Sequence, residues 1–233
     1  MKLSKLFGEV LNENNVWKKL ESILKEGKQL DEGIGAQMSL YLEEANKVIF
    51  DKFNIKPNSE KGTYFIAGSA RFYLYPELVV EMIKLDPKFP PLMGDLDIVI
   101  PNHDIWRNAG LGKFLKNGIY RPQLLVPQLS ERNIEAFTLW DPKKAGGAYA
   151  NVEVRSQNAI IESSELDFGY WFMGLEDVLD YKGQMGRTKE KPIADLINKH
   201  ELGGTELSPE QRSSFLKDLA MELTGKYNRE IEK

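Results

Sequence analysis

Two aspartates separated by a single residue, Asp95 and Asp97, are the side chains whose type and spacing point most directly to chemistry. Residues 95–100 alternate these carboxylates with Leu, Ile and Val, and alternate side chains of a β-strand share one face. Like charges this close repel each other and are costly to desolvate, and a divalent cation offsets both penalties. Such oxygen ligation suits Mg²⁺ or Mn²⁺. The alternative is that one Asp caps a turn and the other is solvated.

A further carboxylate with the same pattern is Glu153, which stands between Val152 and Val154 in a second predicted strand. If this strand lies beside the one that carries Asp95 and Asp97, three carboxylates converge. Otherwise Glu153 forms an ion pair with Arg155 on an exposed edge strand.

Gly68 and Ser69 follow the predicted strand at residues 63–67 and begin a predicted helix. Backbone N–H groups at the start of a helix bind phosphate, and Gly lets a phosphate approach the chain closely. Alone, a Gly-Ser turn carries little information. Followed by the Asp95 strand and a later acid, it matches what two-metal transfer of a nucleotide requires.

Lys182 lies on the apolar face of a predicted helix. It follows Leu175, Val178 and Leu179 at the spacing i, i+3, i+4 and i+7, which places all four side chains on one side. A Lys at such a position either extends its ammonium to solvent or meets an anion. Arg187, Lys189 and Lys191 form either a basic collar nearby or an ordinary solvated loop.

Positioning these side chains requires strands and helices, and the sequence contains both patterns. Strands are predicted at residues 63–67, 95–100, 134–140 and 149–155, the last two paired as a long hairpin. Two or three helices are predicted within residues 3–53, with breaks near Asn14 and at residues 33–35. Pro76 is expected to kink or restart the helix that begins at Ser69. The last helix opens with a capping box at Ser208.

These elements predict an α+β fold with a mixed β-sheet and flanking helices. We expect an N-terminal helical extension over residues 1–56, a core over residues 57–200 and a C-terminal helix over residues 201–233.

Composition narrows the chemistry further. The chain of 233 residues has no Cys and two His, which excludes a thiol nucleophile and a zinc finger. A net charge of −4 argues against broad coating of nucleic acid. The N-terminus lacks the apolar run of a signal peptide and no window is long enough for a membrane span, so we expect a cytoplasmic protein with no membrane partner.

Taken together, Gly68, Ser69, Asp95, Asp97 and Glu153 resemble the signature of the polymerase-beta-like nucleotidyltransferase superfamily. That signature is a Gly-Gly or Gly-Ser turn, a strand with two Asp one residue apart, and a later single acid.

Residues 174–195, which include Lys182, Arg187 and Asp195, are similar to the helix, Lys and basic-acidic tail of the AbiEii-like predicted nucleotidyltransferases. That group includes toxins of toxin-antitoxin systems.

The resemblance implies a nucleotidyltransferase fold and a magnesium-dependent or manganese-dependent enzyme that transfers NMP from an NTP to a hydroxyl, releasing pyrophosphate. It implies that Asp95 and Asp97 hold the metal and that Glu153 completes one metal site or acts as the base. Gly68, Ser69, Lys182 and Arg187 would bind the nucleotide.

The acceptor stays open between a small molecule, an RNA end and a protein hydroxyl, and a cognate protein partner is compatible with the family. The alternative is a catalytically inactive nucleotide-binding or protein-interaction module of the same fold.

Overall fold

The computed structural model describes residues 30–87, 89–90, 92–112, 134–139, 152–185, 190–200 and 207–231. The predicted helices before residue 30 lie outside these residues, and so do Arg187 and Lys189.

A mixed sheet of five strands forms the centre of the described structure. The strands are β1 (Phe65–Ala67), β2 (Leu96–Val99), β3 (Ile134–Phe137), β4 (Glu165–Asp167) and β5 (Tyr170–Phe172). They lie in the order β3-β2-β1-β5-β4. The pairs β1–β2 and β4–β5 are antiparallel, and the pairs β2–β3 and β1–β5 are parallel. The predicted α+β class with a mixed sheet is confirmed.

Helices of the described chain surround this sheet. They are α1 (Leu30–Ala45), α2 (Pro76–Leu85), α3 (His103–Asn108), α4 (Gln157–Ser163), α5 (Leu175–Gln184), α6 (Lys191–His200) and α7 (Pro209–Ile231). Helix α1 continues through a π-helical segment, Asn46–Phe50, and a last α-helical turn, Asp51–Phe53. None of the described helices has the length and hydropathy needed to cross a bilayer.

The predicted strands within residues 63–67, 95–100 and 134–140 are all present. The prediction of a strand at residues 149–155 is wrong for its described part, since residues 152–156 have no regular structure. The Ser156 hydroxyl accepts a hydrogen bond from the Ala159 N–H at 3.3 Å and caps α4, so the chain turns into a helix here. Among the described residues, β4 and β5 form a hairpin.

Helix α1 runs through residues 33–35, where the sequence predicts a break. Ile34 and Met38 of α1 are buried in the same core as the sheet. A Gly in a helix costs only about 1 kcal/mol relative to Ala, and burial of this apolar face outweighs that cost.

The segment after β1 is a 3₁₀ helix, Gly68–Leu74, that begins one residue before Ser69. The residue preceding it is Ala67, and no side chain caps it, so Ser69 does not have the predicted N-cap role. Pro76 is the first residue of α2, which confirms the predicted restart. The predicted capping box at the start of α7 is also present, because Ser208 and Gln211 exchange two hydrogen bonds of 2.9 and 3.3 Å.

Candidate functional site

Five of the predicted site residues line one cavity, although they are up to 114 positions apart in the chain, from Gly68 to Lys182. The cavity, named here the Asp97 cavity, has a volume of about 170 Å³. Its predicted members are Gly68, Ser69, Asp95, Asp97 and Lys182. Glu153 lines a different groove.

The register of β1 against β2 brings the Gly-Ser turn to the two aspartates. Ala67 is paired with Asp97, so the residue after it, Gly68, emerges beside the Asp97 carboxylate. Gly68 has a φ of +73°, and a Cβ atom there would lie 2.9 Å from Oδ2 of Asp97. Both the backbone angle and the close carboxylate therefore require glycine at this position.

Asp97 lies within β2 and is half-buried, whereas Asp95 precedes the strand and is exposed. Leu96 and Ile98 on the opposite face are fully buried, as the predicted alternation requires, and Val99 on the face of Asp97 is buried as well. Both carboxylates line the cavity.

The described residues contain no group of three or more His, Cys, Asp or Glu side chains placed to hold a metal ion. Magnesium is commonly held by one or two carboxylates with substrate phosphates and water completing its shell. The donor set of Asp95 and Asp97 fits that mode of binding, in which the substrate contributes ligands.

A carboxylate that the sequence analysis did not single out, Glu135, stands in register with Asp97 on the neighbouring strand β3. Paired residues of adjacent strands share a face, so the half-buried Glu135 side chain projects on the same side as Asp97. The signal for it is present in the sequence: Ile134 and Ala136 alternate with Glu135 as Leu96 and Ile98 alternate with Asp97.

Lys182 is buried on the inward side of α5, as its helical position predicts, with 9% of its surface exposed. Its Nζ lies 3.5 Å from Oε1 of Glu190, a residue that is only 2% exposed and stands immediately before α6. Glu190 also lines the cavity. The helical position of Lys182 left open whether its ammonium reaches solvent or meets an anion, and in the structure it meets the Glu190 carboxylate.

The pKa of Tyr73 reflects its burial and the negative charges around the cavity. Its hydroxyl donates a hydrogen bond of 2.7 Å to the carbonyl oxygen of Pro90. Burial raises the pKa of this hydroxyl, and the negative charges of Asp95 and Glu190 raise it further. The Tyr73 hydroxyl therefore stays neutral and remains a proton donor at physiological pH.

Arg71 joins the 3₁₀ segment to the edge of the sheet. Its guanidinium is 1% exposed and forms ion pairs with Glu165 and Asp167 of β4. It also lies 5.3 Å from the centre of the Tyr75 ring. These contacts hold the segment that begins with Gly68 and Ser69 against β4.

The structure corrects the predicted place of Glu153, which lies in an exposed loop and not on a strand beside Asp95 and Asp97. The Gln184 side chain of α5 accepts a hydrogen bond of 2.7 Å from the backbone N–H of Glu153. It also donates one of 2.9 Å to the backbone carbonyl oxygen of Glu153. These hydrogen bonds take the place of strand pairing and direct Glu153 to the second groove.

That groove, named here the Asp180 groove, has a volume of about 400 Å³, and its charged lining residues are Glu153, Arg155, Glu176, Asp177, Asp180 and Arg212. The ion pair considered for Arg155 forms with Asp177, at 3.2 Å. Arg212 pairs with Asp180 at 2.8 Å.

Asp177 is the buried carboxyl of the Asp180 groove, with 6% exposure. Burial raises its pKa from 3.8 to about 6, although a hydrogen bond from Ser163 and the charge of Arg155 lower it. Helix α5 separates the two sites, since Val178, Tyr181 and Lys182 line the cavity while Asp177 and Asp180 line the groove.

Comparison with known proteins found no matching family model, no similar curated protein and no similar solved structure.

Proposed function

We propose that the protein is a nucleotidyltransferase that transfers NMP from an NTP to a hydroxyl acceptor and uses Mg²⁺ or Mn²⁺. The observation that carries this proposal is the convergence of Gly68, Ser69, Asp95, Asp97 and Lys182 in one cavity. A phosphate-binding turn, two hard carboxylates and a buried ammonium are the groups that binding of a metal-nucleotide complex requires.

Each group has a role that follows from its position. Asp95 and Asp97 would hold the cation, which when bound supplies charge stabilisation to the phosphoryl group. The backbone at Gly68 and Ser69 would bind phosphate oxygens, and the Lys182 ammonium would bind the β and γ phosphates. The acceptor hydroxyl attacks the α phosphorus, pyrophosphate leaves, and a carboxylate accepts the hydroxyl proton.

Glu135 takes the role that the family resemblance assigned to Glu153. It lies one strand from Asp97 on the same face, and under this proposal it accepts the proton of the acceptor hydroxyl. Under this proposal the fold is of the nucleotidyltransferase type: β1, a Gly-Ser turn, β2 with Asp97 in it and Asp95 just before it, and β3 with Glu135.

The cavity suits the charged end of the substrate. Its volume of about 170 Å³ is below the roughly 300–1,000 Å³ typical of sites that enclose a whole ligand. Under this proposal the cavity holds the phosphates and the cation, and the acceptor remains a small molecule, an RNA end or a protein.

A second candidate is a nucleotide-binding or protein-interaction module without catalysis. The contact between Lys182 and Glu190 favours it, because a carboxylate already compensates the ammonium that would bind phosphate.

The test is incubation of the purified protein with each α-labelled NTP, Mg²⁺ and either total RNA or cell lysate. We expect label in an acceptor fraction and release of pyrophosphate, both lost in Asp97→Asn. Glu153→Gln, a matched change outside the cavity, should retain activity. Nucleotide binding without labelled product for any NTP would support the module, and no magnesium-dependent nucleotide binding at all would overturn both.

A further inference from the structure

The ion pair between Lys182 and Glu190 is the starting point. Both residues are buried and both line the Asp97 cavity, so their charges act through protein as well as through solvent. Glu190 stands at the N-terminus of the ten-residue helix α6, where the helix dipole favours a negative charge. Its carboxylate lies beside the candidate phosphate site.

The described lining of the cavity is negative overall. It contains the carboxylates of Asp95, Asp97 and Glu190 and one cation, Lys182, for a net charge of −2. Tyr73, Asp95 and Glu190 line this cavity together, and after burial the charges of the two carboxylates raise the pKa of the Tyr73 hydroxyl.

A polyphosphate that enters without a cation is repelled by the three carboxylates of the cavity. The Lys182 ammonium attracts it only weakly, because Glu190 already compensates that charge. A polyphosphate that enters with a divalent cation brings charge that offsets Asp95 and Asp97, and Lys182 can then exchange Glu190 for phosphate oxygens. The two forms of the ligand should differ strongly in affinity, and Glu190 sets part of that difference.

We propose that Glu190 is a specificity-determining residue that restricts the cavity to polyphosphates carrying a divalent cation. The inference rests on the proposed function and deepens it, since it names metal-bound polyphosphate as the recognised species. The carboxylate acts as a competitor for the Lys182 ammonium and as a repulsive charge toward bare phosphate.

The experiment is calorimetric titration of the full chain with inorganic tripolyphosphate, the part common to all NTPs, in Mg²⁺ or in EDTA. We expect wild type to bind with Mg²⁺ and much more weakly in EDTA. Glu190→Gln should bind tripolyphosphate in EDTA at least about tenfold more tightly than wild type, because removing one nearby like charge is worth that or more. Glu190→Asp keeps the charge and should behave as wild type in EDTA.

The matched control is Glu162→Gln, an exposed carboxylate on α4 outside both sites, which should leave every affinity unchanged. Thermal unfolding checks that each variant is folded. If Glu190→Gln alone does not fold, Lys182→Gln is compared with the double variant Lys182→Gln/Glu190→Gln. The double variant should bind in EDTA about tenfold more tightly, because only the Glu190 charge differs.

The outcomes separate the two proposals. Absence of magnesium-dependent binding in wild type overturns the proposed function and, with it, this inference. Magnesium-dependent binding in wild type with equal EDTA affinities for wild type and Glu190→Gln overturns the role of Glu190 alone. Glu190→Asp keeps the charge but shortens the side chain. If it binds tripolyphosphate in EDTA as tightly as Glu190→Gln does, the effect comes from side-chain size and the proposed role of the Glu190 charge is overturned.

Discussion

Glycine at position 68 meets two separate demands, one from its own backbone and one from the Asp97 carboxylate. Its φ of +73° disfavours any residue with a Cβ, and that Cβ would lie 2.9 Å from Oδ2 of Asp97. Gly110 has nearly the same φ, +74°, but no atom within 4 Å of the corresponding position. Substituting Ala at each of the two positions therefore distinguishes the cost of backbone strain, which both share, from the cost of displacing the Asp97 carboxylate, which only Gly68 has.

We expect Gly110→Ala to lower the free energy of unfolding by about 1–2 kcal/mol, the cost of left-handed backbone. Gly68→Ala should cost about 1–3 kcal/mol more, because Asp97 must move. It should also abolish magnesium-dependent nucleotide binding. Urea unfolding and calorimetry measure the two effects, and equal losses for both variants would show that the contact with Asp97 does not constrain position 68.

Two glutamates compete for the role of third acid, and they give opposite expectations. Glu135 is paired with Asp97 across β2 and β3, whereas Glu153 lines the Asp180 groove. We expect Glu135→Gln to reduce transfer by about a hundredfold or more, the scale of general acid–base catalysis, while Glu153→Gln stays within about twofold of wild type. Initial rates at saturating NTP measure this, and the reverse order would restore Glu153 to the site.

Residue patterns predicted the local arrangement of the site but not its long-range partners. Alternation along one strand places Asp95 and Asp97 on one face, and helical spacing places Lys182 inside. The choice between Glu135 and Glu153 depends on which strand pairs with β2. That pairing is decided by tertiary packing and by side-chain hydrogen bonds such as those of Gln184 to the Glu153 backbone.

Two helical glycines, Gly35 within α1 and Gly183 in the last turn of α5, test how packing modifies helix propensity. A Cβ at Gly35 of α1 would meet no neighbouring atom within 4 Å, whereas a Cβ at Gly183 of α5 would lie 2.6 Å from Cδ1 of Ile197 on α6. Both substitutions gain the same intrinsic preference, about 1 kcal/mol for Ala over Gly. Only one of them has room for the methyl group.

Gly35→Ala should raise the free energy of unfolding by about 0.5–1 kcal/mol. Gly183→Ala should lower it by about 1–3 kcal/mol, because the buried Ile197 side chain must move out of its packed position. Chemical denaturation of both variants measures the pair. A stabilised Gly183→Ala would mean that Ile197 moves aside without cost.

The ion pairs of Arg71 with Glu165 and Asp167 of β4 predict that removing the Arg and removing the two acids will differ in their cost to stability. The guanidinium is 1% exposed, but the Glu165 and Asp167 side chains are 55% and 39% exposed. Removing Arg71 leaves carboxylates that water can solvate, whereas removing the carboxylates leaves a buried cation. We expect Glu165→Gln/Asp167→Asn to cost about 3–5 kcal/mol and Arg71→Met clearly less, as judged by urea unfolding.

Element boundaries follow the same division between local and tertiary control. Pro76 and the Ser208 capping box act within a few residues, and both were predicted correctly. The break expected at residues 33–35 is absent, because burial of α1 against the core overrides the two glycines. The hairpin β4–β5 was not predicted, because each of its strands has only three residues.

For the molecule as a whole, the Asp177 carboxyl makes stability depend on pH. Its pKa is about 6 in the folded chain and about 3.8 ordinarily, so between these values the folded state binds more protons than the unfolded state. The contribution of this group therefore favours folding below about pH 4 and is lost as pH rises to about 6.

We expect the unfolding free energy of Asp177→Asn, relative to wild type, to rise by on the order of 3 kcal/mol between about pH 4 and pH 7. The comparison with wild type cancels most other titrating groups. Urea titrations at several pH values measure it. A difference that stays constant across this range would show that the Asp177 pKa is not raised.

The Asp97 cavity draws its walls from residues 68 to 193, so its last contributor is Ile193 of α6. A ribosome makes the Gly-Ser turn and both aspartates long before it makes Lys182 and Glu190. Until α5 and the start of α6 have left the ribosome, the growing chain carries the Gly-Ser turn and both aspartates without the Lys182 ammonium or the Glu190 carboxylate. A chain released early, or cut before α5, therefore has no complete cavity, and under the proposed function it should not bind a nucleotide.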